Sequence, residues 1–177
     1  MVISIVVYVN TILLFVISLL IIQMFNSGAT YNNNSLPKSD SGLAKNTIFP
    51  SIDSFLTLNK SHNKNIPYIF IFTSYGCDAC KRIYPFLNEL IKEHPYIQFR
   101  LITLANEDQA NELIEQFNLN DIPLTMIKHE HIHKFGITGF PFAYLVSEKS
   151  VILDKGLVNH KEDFRLLMKK IKRAKIA

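Results

Sequence analysis

Apolar residues dominate the start of the chain, where residues 2–22 read VISIVVYVNTILLFVISLLII. At about 1.5 Å per residue, a helix of that length spans roughly 30 Å, the thickness of the hydrocarbon core of a bilayer. A cleaved secretory signal has a shorter apolar region of about 7–15 residues behind a basic start, and no Lys or Arg precedes this one. The pattern therefore favours a retained transmembrane anchor over residues 1–23, with a cleaved signal as the alternative.

A polar stretch separates this apolar segment from the rest of the chain. Residues 26–51 read NSGATYNNNSLPKSDSGLAKNTIFPS and contain few large apolar side chains. Such a composition, rich in Asn, Ser and Gly, is typical of a solvated linker. We therefore predict a flexible linker over residues 24–50 and a folded domain over residues 51–177.

Within the predicted domain, apolar runs with strand character alternate with segments of helical periodicity. Residues 66–73 (IPYIFIFT) are mostly aromatic and β-branched, as in a strand buried on both faces. Residues 78–94 have apolar positions at helical spacing and contain Pro85, which should kink the helix. The other predicted elements are strands at 96–104 and 122–127, helices at 107–117 and 160–172, and a hairpin of 142–146 with 151–153. This order predicts an α/β fold with a central mixed sheet flanked by helices.

The charge of the chain excludes one large class of partner. The sequence has 19 Lys+Arg against 15 Asp+Glu, a formal net charge of +4, and all of these charges fall after residue 22. Nucleic-acid binding depends on clustered basic residues that neutralise phosphates. Because the charges are mixed and the chain has no long block of like sign, we expect no nucleic-acid partner.

The candidate chemistry lies in two cysteines, Cys77 and Cys80, at the point where the first buried strand is followed by a helix. A thiolate at a helix N-terminus is stabilised by the helix dipole and by free backbone N–H groups, which would lower the pKa of Cys77 and make it the nucleophile. Cys80 lies three residues later on the same helical face, from which it can attack a mixed disulfide. The spacing is sufficient for dithiol–disulfide exchange, with the Cys77–Cys80 disulfide as the redox group and no further cofactor.

Metal binding and inert buried thiols are the alternatives to redox chemistry. A structural zinc site takes four Cys or His ligands, so two histidines would have to join the cysteines. The available histidines are His129, His131 and His133, whose alternation could place three imidazoles on one side of a strand. Their mixture with Lys and Glu favours a polar loop instead, and we predict no metal site there.

Two separated motifs resemble the thioredoxin-like superfamily. From Phe72 to Pro85 the chain has the pattern Phe-x4-Cys-x2-Cys-Lys-x-Ile-x-Pro, which is similar to the thioredoxin active-site strand and helix. Residues 135–142 (FGITGFPF) resemble the segment whose cis-proline faces the cysteines. The resemblance implies that Pro141 is cis and that the backbone of Phe140 is free to pair with an extended substrate peptide.

Further features resemble one branch of that superfamily. The helix and strand predicted between residues 107 and 127 match the insertion of membrane-tethered TlpA-like and redoxin proteins, and residues 155–159 (KGLVN) look like methylamine-utilisation accessory (MauD-type) proteins. Two departures stand out. Ile71 occupies the place of the expected buried Asp, so deprotonation of Cys80 would use water or another group. The usual Trp-Cys-Gly-Pro-Cys motif is Gly76-Cys77-Asp78-Ala79-Cys80 here, and we expect Tyr75 and Gly76 to line the substrate groove.

The resemblance implies a thiol-disulfide oxidoreductase that is tethered to the cell membrane by a single span, with its catalytic domain on the extracytoplasmic side. Its substrates would be thiols or disulfides of exported proteins, including a secreted partner under maturation, and an unidentified membrane protein would exchange electrons with it. Asp78 between the cysteines should disfavour the Cys77 thiolate and so favour the disulfide, which predicts a moderate or reducing potential. The alternative is a tethered chaperone in which Cys77, Cys80 and one His hold a soft ion such as Cu(I).

Overall fold

The computed structural model describes residues 2–27, 41–59 and 66–174. The chain divides into two compact units, Met1–Ser35 and Leu36–Ala177. In the first unit, helix α1 (Val2–Ser27) has described side chains at Tyr8 and at residues 10–22, all of them exposed. Counted over the described residues, no helix is both long enough and apolar enough to cross a membrane.

The second unit is built on a six-stranded sheet with the strand order β1-β4-β3-β2-β5-β6. Strands β2, β3 and β4 are parallel, whereas β1, β5 and β6 each run antiparallel to their neighbours. The predicted mixed sheet and terminal hairpin are therefore confirmed. The strands are β1 (Thr57–Leu58), β2 (Tyr68–Ser74), β3 (Gln98–Leu104), β4 (Leu124–Ile127), β5 (Phe142–Val146) and β6 (Ile152–Leu157).

Helices follow the strands as the sequence pattern predicts, with one break at a proline. Pro85 lies in the first turn of a helix, where its missing N–H costs no hydrogen bond, so the predicted single helix is divided in two. Asn106 and Gln109 form a capping box that starts the next helix, and Asn118 ends it in the left-handed conformation. The helices are α2 (Asp78–Lys81), α3 (Tyr84–Glu93), α4 (Glu107–Phe117), a 3-10 helix (His129–Phe135) and α5 (Lys161–Ala174).

The two faces of the sheet are covered by different kinds of structure. Alternate residues of a strand point to opposite faces, and Ile69 and Ile71 pack with residues of α3, α4 and α5. Phe70 and Phe72 point the other way into an aromatic cluster that the 3-10 helix and an irregular segment cover. Both cysteines belong to the helical side of the sheet.

The packed domain begins earlier than the composition predicts. Residues 41–50 fall within the predicted linker, yet Phe49 is 6% exposed and stacks on Phe70 with ring centroids 4.4 Å apart. The aromatic face of the sheet explains this difference, because the segment supplies the Phe49 ring that covers Phe70, which would otherwise lose its stacking partner to water. Residues 28–40, the rest of the predicted linker beyond α1, lie outside the described residues.

Candidate active site

The cysteine motif lies at the edge of the sheet where the parallel strands β2 and β3 end. The backbone N–H of Tyr75 donates to the carbonyl of Leu104, the last residue of β3, at 3.1 Å. The N–H of Cys77 donates to the carbonyl of Ser74, the last residue of β2, at 3.1 Å. These two bonds fix the turn between strand and helix. Cys77 therefore sits at the carboxyl edge of the parallel strands, where ligands commonly bind in α/β folds.

The two cysteines form a disulfide, and their surroundings are unequal. Cys77 is half-buried and is the N-cap residue of α2, whereas Cys80 is completely buried. Solvent therefore reaches part of Cys77 but no part of Cys80. The disulfide therefore joins one cysteine that is partly accessible to one that is enclosed by the helical side of the domain.

The sulfur of Cys77 accepts a hydrogen bond from a nearby backbone N–H group, and the helix that follows it is short. The N–H of Cys80 lies 3.1 Å from Cys77 Sγ and donates to it. The sequence predicts a long helix behind the thiolate, but α2 ends at Lys81 because Pro85 starts a separate helix. Since the macrodipole grows with aligned peptide units, the four-residue α2 contributes less than predicted, and the N–H of Cys80 is the specific donor.

Charged and polar side chains next to the cysteines are paired with each other. Asp78 is almost fully exposed, and its carboxylate lies 3.2 Å from Lys81 Nζ. The positive charge of Lys81 and the solvent both reduce the predicted repulsion between Asp78 and a Cys77 thiolate. Tyr75 is half-buried, and its hydroxyl donates to Glu112 Oε2 at 2.6 Å. This hydrogen bond to a carboxylate, together with desolvation, raises the pKa of Tyr75 above its ordinary value.

The predicted cis-proline is present, with a cis peptide bond between Phe140 and Pro141. Pro141 directly precedes β5, whose first residue Phe142 is paired with Phe72 of β2. This register puts Pro141 at the end of the sheet where β2 leads to the cysteines. Phe140, Tyr75 and Cys77 pack against the same core cluster, so the structure brings the predicted groove residues to one edge.

The backbone beside the cis-proline has open hydrogen-bonding groups. The carbonyl of Pro141 accepts from the N–H of Val158 at 3.2 Å, but Phe140 makes no backbone hydrogen bond to another described residue. Gly76 is exposed, and a Cβ built on it would meet nothing within 4 Å. An extended peptide therefore has both free main-chain groups and open space beside Cys77.

The three predicted candidate histidines do not assemble with the cysteines. They lie in the 3-10 helix and not on a strand, and His131 packs edge-on against Phe55 with ring centroids 5.0 Å apart. In the part of the chain that the structure describes, no group of three or more Cys, His, Asp or Glu side chains could hold a metal ion. A copper site formed by Cys77, Cys80 and a histidine has no preformed geometry among those residues.

Sequence reasoning missed Glu112, which the fold brings from α4 to the hydroxyl of Tyr75. Its position in a helix is predictable from periodicity, because it lies on the exposed side opposite Leu113 and Ile114. Its contact with Tyr75 depends on how α4 packs beside the end of β2, which no local pattern specifies.

No family model matches the chain, and no curated protein sequence matches it. Solved structures do share its fold. The thioredoxin domain of a thiol-disulfide oxidoreductase from Bacteroides vulgatus is 16% identical, with a TM-score of 0.60 over 72% of this chain and 97% of that one. A thiol:disulfide interchange protein from a Bacteroides species is 18% identical, with a TM-score of 0.59 over 72% of this chain and 90% of that one.

A thioredoxin-family thiol:disulfide interchange protein from Chlorobium tepidum is also similar, at 19% identity and a TM-score of 0.52 over 61% of this chain and 81% of that one. At these identities the likeness is one of fold. The domain is thioredoxin-like, with a mixed sheet flanked by helices and a Cys-x-x-Cys disulfide at the edge where β2 ends.

Proposed function

We propose that this chain is a thiol-disulfide oxidoreductase that uses Cys77 and Cys80. The observation that carries the proposal is the unequal exposure of the two disulfide-bonded cysteines, with Cys77 partly exposed and Cys80 completely buried. A redox pair needs one sulfur that meets the substrate and a second that is protected until the mixed disulfide forms. The solved oxidoreductase structures with the same fold support this reading.

The reaction follows from the two positions. In the reducing direction, the Cys77 thiolate attacks one sulfur of a substrate disulfide, and the other substrate sulfur leaves as a thiolate and takes up a proton. The Cys80 thiolate then attacks Cys77 Sγ, which releases the second substrate thiolate and forms the Cys77–Cys80 disulfide. Two electrons pass from the protein dithiol to the substrate disulfide, and the oxidising direction is the same sequence reversed.

The substrate would be a protein segment in extended conformation. Phe140 has free main-chain groups, Tyr75 and Gly76 form the wall on the cysteine side, and Pro141 ends the groove beside β5. Main-chain pairing gives affinity with little dependence on side chains, which suits a protein that acts on cysteines in several contexts. The MauD-like sequence at residues 155–159 supports exported proteins as substrates and a role in maturation of a secreted partner.

The proposal includes a membrane tether at the N-terminus, with the catalytic domain on the extracytoplasmic side. Residues 2–22 contain no Asp, Glu, Lys or Arg, and four consecutive side chains of α1, Ile12 to Phe15, are each more than half exposed. Four consecutive residues cover every side of a helix, and an apolar surface on all sides is stable only when lipid or protein covers it. Release of the full chain from membranes by alkaline carbonate would contradict the tether; release by detergent alone would support it.

The redox function is tested by trapping the intermediate. The reduced Cys80→Ser variant should accumulate a disulfide between Cys77 and a disulfide-containing protein substrate such as oxidised, scrambled bovine ribonuclease, because the Cys77 thiolate attacks a substrate disulfide and the resolving thiol is gone. The Cys77→Ser variant keeps only the buried thiol and is the matched control, which should form no adduct. Non-reducing gels and mass spectrometry of the linked peptides identify the joined cysteines, and equal adduct levels in both variants would overturn the assignment of roles.

The direction of the reaction is tested by the reduction potential of the Cys77–Cys80 pair. A value of about −120 to −180 mV would indicate an oxidase or isomerase, and about −250 mV or lower would indicate a reductase with an electron supply from a membrane partner. If the full chain formed no disulfide in glutathione buffers and bound stoichiometric Cu(I) through Cys77, the copper-chaperone alternative would replace the proposal.

A further inference from the structure

A short segment far from the cysteines in sequence is bonded to the loop that leads to the cis-proline. We call Ser41–Leu43 the clamp and residues 135–141 the proline loop. The N–H of Gly42 donates to the carbonyl of Gly136 at 2.6 Å, and the N–H of Thr138 donates to Ser41 Oγ at 2.9 Å. The clamp therefore contacts the proline loop through one hydrogen bond between backbone groups and one between a loop N–H and the Ser41 side chain.

Two side chains from the sheet complete the attachment. Lys155 Nζ on β6 donates to the carbonyls of Ser41 and Gly42 at 2.8 and 2.6 Å. The hydroxyl of Tyr144 on β5 accepts from the N–H of Leu43 at 2.6 Å and donates to the carbonyl of Phe135 at 2.5 Å. Tyr144 thus joins the clamp and the proline loop through one oxygen atom, and Lys155 holds the clamp against the strands.

The fit between the clamp and the loop leaves no room for side chains. A Cβ on Gly42 would lie 2.6 Å from the Tyr144 hydroxyl, and a Cβ on Gly136 would lie 3.2 Å from the carbonyl carbon of Gly42. Both glycines have positive φ, +86° and +64°. Two glycine backbones in close contact form a well-defined junction, whereas a flexible side-chain contact would allow the loop to shift.

We infer that Ser41 and Lys155 are positioning residues for substrate, because through the clamp they hold the proline loop and hence the free backbone of Phe140 in register with Cys77. This inference rests on the proposed function. Thr138 to Phe140 are half-buried or exposed, and the Thr138 N–H is held by the clamp alone among the described residues. Among the described residues, the backbone of 136–140 is thus held from outside by the clamp, whereas the carbonyl of Pro141 at the end of the loop is held by the N–H of Val158.

The same segment supplies a matched control. Lys45 forms an ion pair with Asp154 of β6, which attaches the segment to the same strand, and its side chain makes no hydrogen bond or ion pair to the proline loop among the described residues. Lys45→Met therefore removes an attachment of similar kind beside the clamp. If the clamp only stabilised the fold, Lys45→Met and Lys155→Met would act alike.

Hydrogen exchange tests the clamp without any activity measurement. In the oxidised full chain, Ser41→Ala and Lys155→Met should speed exchange in residues 136–140 by about tenfold, the effect of losing roughly one hydrogen bond. Lys45→Met should leave that segment as in the wild type, and Lys155→Arg, which keeps a cationic donor, should restore protection. Unchanged exchange in both clamp variants would overturn the inference, whatever the outcome for the redox function.

Kinetics test the consequence for substrate. With insulin as a protein disulfide, Lys155→Met should raise KM about fivefold or more with kcat nearly unchanged, since the lost contacts position substrate and do not touch sulfur. Reduction of the Cys77–Cys80 disulfide by dithiothreitol needs no peptide groove and should proceed at the wild-type rate. Equal slowing with dithiothreitol and insulin would overturn the positioning role, whereas a wild-type chain that reduces no insulin would overturn the proposed function instead.

Discussion

The backbone N–H of Cys80 donates to Cys77 Sγ at 3.1 Å, so the buried cysteine helps to stabilise charge on the exposed one. Helix α2 has four residues, so its dipole is small. The stability of the Cys77 thiolate therefore depends more on the Cys80 N–H and on the nearby side-chain charges than on the helix dipole. The charges are the exposed pair Asp78 and Lys81, joined at 3.2 Å. The redox properties of the pair should therefore respond to both charges in opposite directions.

Substitution of each charge next to Cys77 should shift the reduction potential in a predictable direction. Lys81→Met removes a cation, which makes the Cys77 thiolate and the reduced form less stable, so the potential should fall. Asp78→Asn removes an anion, and the potential should rise. Exposed charges are worth about 0.2–1 kcal/mol, so each shift should be roughly 5–20 mV.

Titration against glutathione or dithiothreitol measures the reduction potential of each variant. The double variant, whose potential should be close to that of the wild type, is the control. Shifts of the same sign in both single variants would contradict this account.

The hydrogen bond between Tyr75 and Glu112 should matter for substrate binding. Tyr75→Phe and Glu112→Gln each remove or weaken the 2.6 Å bond that holds the aromatic wall of the groove. We expect each to raise KM for insulin about threefold, and the double variant to be no worse than the single ones, because both act on one interaction. Glu115, exposed on the same helix, provides the control variant Glu115→Gln, with KM as in the wild type. Additive losses in the double variant would show that the two side chains act separately.

Much of the fold is visible in the sequence because its main elements are periodic and long. The buried strand before Cys77, the helix over 107–117 and the terminal hairpin all follow from local patterns that the packing then reinforces. The cis-proline was predicted from its resemblance to a known segment, and the structure has it at Pro141. Local propensity and global fold agree in these places, which is typical of foldable sequences.

The parts that the sequence does not predict depend on contacts between distant residues. Residues 41–50 look like linker because the stretch they belong to is rich in Asn, Ser and Gly, but Phe49 and Gly42 are fixed by aromatic rings and carbonyls contributed by the sheet and the proline loop. The length of α2 depends on Pro85 and on its packing, so the helix that follows Cys77 is shorter than the one that the sequence pattern predicts. A pattern of residue types indicates a helix or a strand, but it does not indicate which distant residues that helix or strand contacts.

Two glycines should differ sharply in their tolerance of a methyl group. Gly42→Ala places a Cβ 2.6 Å from the Tyr144 hydroxyl and 2.7 Å from Phe142 at a φ of +86°. The free energy of unfolding should fall by about 1–3 kcal/mol, through overpacking and backbone strain together. At Gly76 a Cβ meets nothing within 4 Å, so Gly76→Ala should change stability by less than about 0.5 kcal/mol. Urea unfolding of the oxidised full chain in detergent compares them, and similar losses at both positions would contradict the packing argument.

Two buried tyrosines should make the domain sensitive to alkali. Burial raises the pKa of Tyr84 to about 12 and that of Tyr144 to about 12, from an ordinary value of 10.0. With a folded-state pKa above the unfolded one, the unfolded chain releases protons first. The resulting stability is fully present below pH 10 and is lost as the pH rises toward 12. At one pH unit above the unfolded value, each tyrosine should cost roughly 1.4 kcal/mol of the free energy of unfolding.

The test is the slope of stability against pH in the oxidised protein, whose cysteines do not titrate. Tyr84→Phe removes one titrating hydroxyl, so its stability curve should fall less steeply above pH 10 than that of the wild type. Ile83→Val, at a completely buried neighbouring position, is the control for general destabilisation and should lower the curve by about 0.5–1.5 kcal/mol at every pH. Parallel curves for the wild type and Tyr84→Phe would mean that the Tyr84 hydroxyl is not held protonated by burial, because its ionisation would then cost the folded state nothing extra.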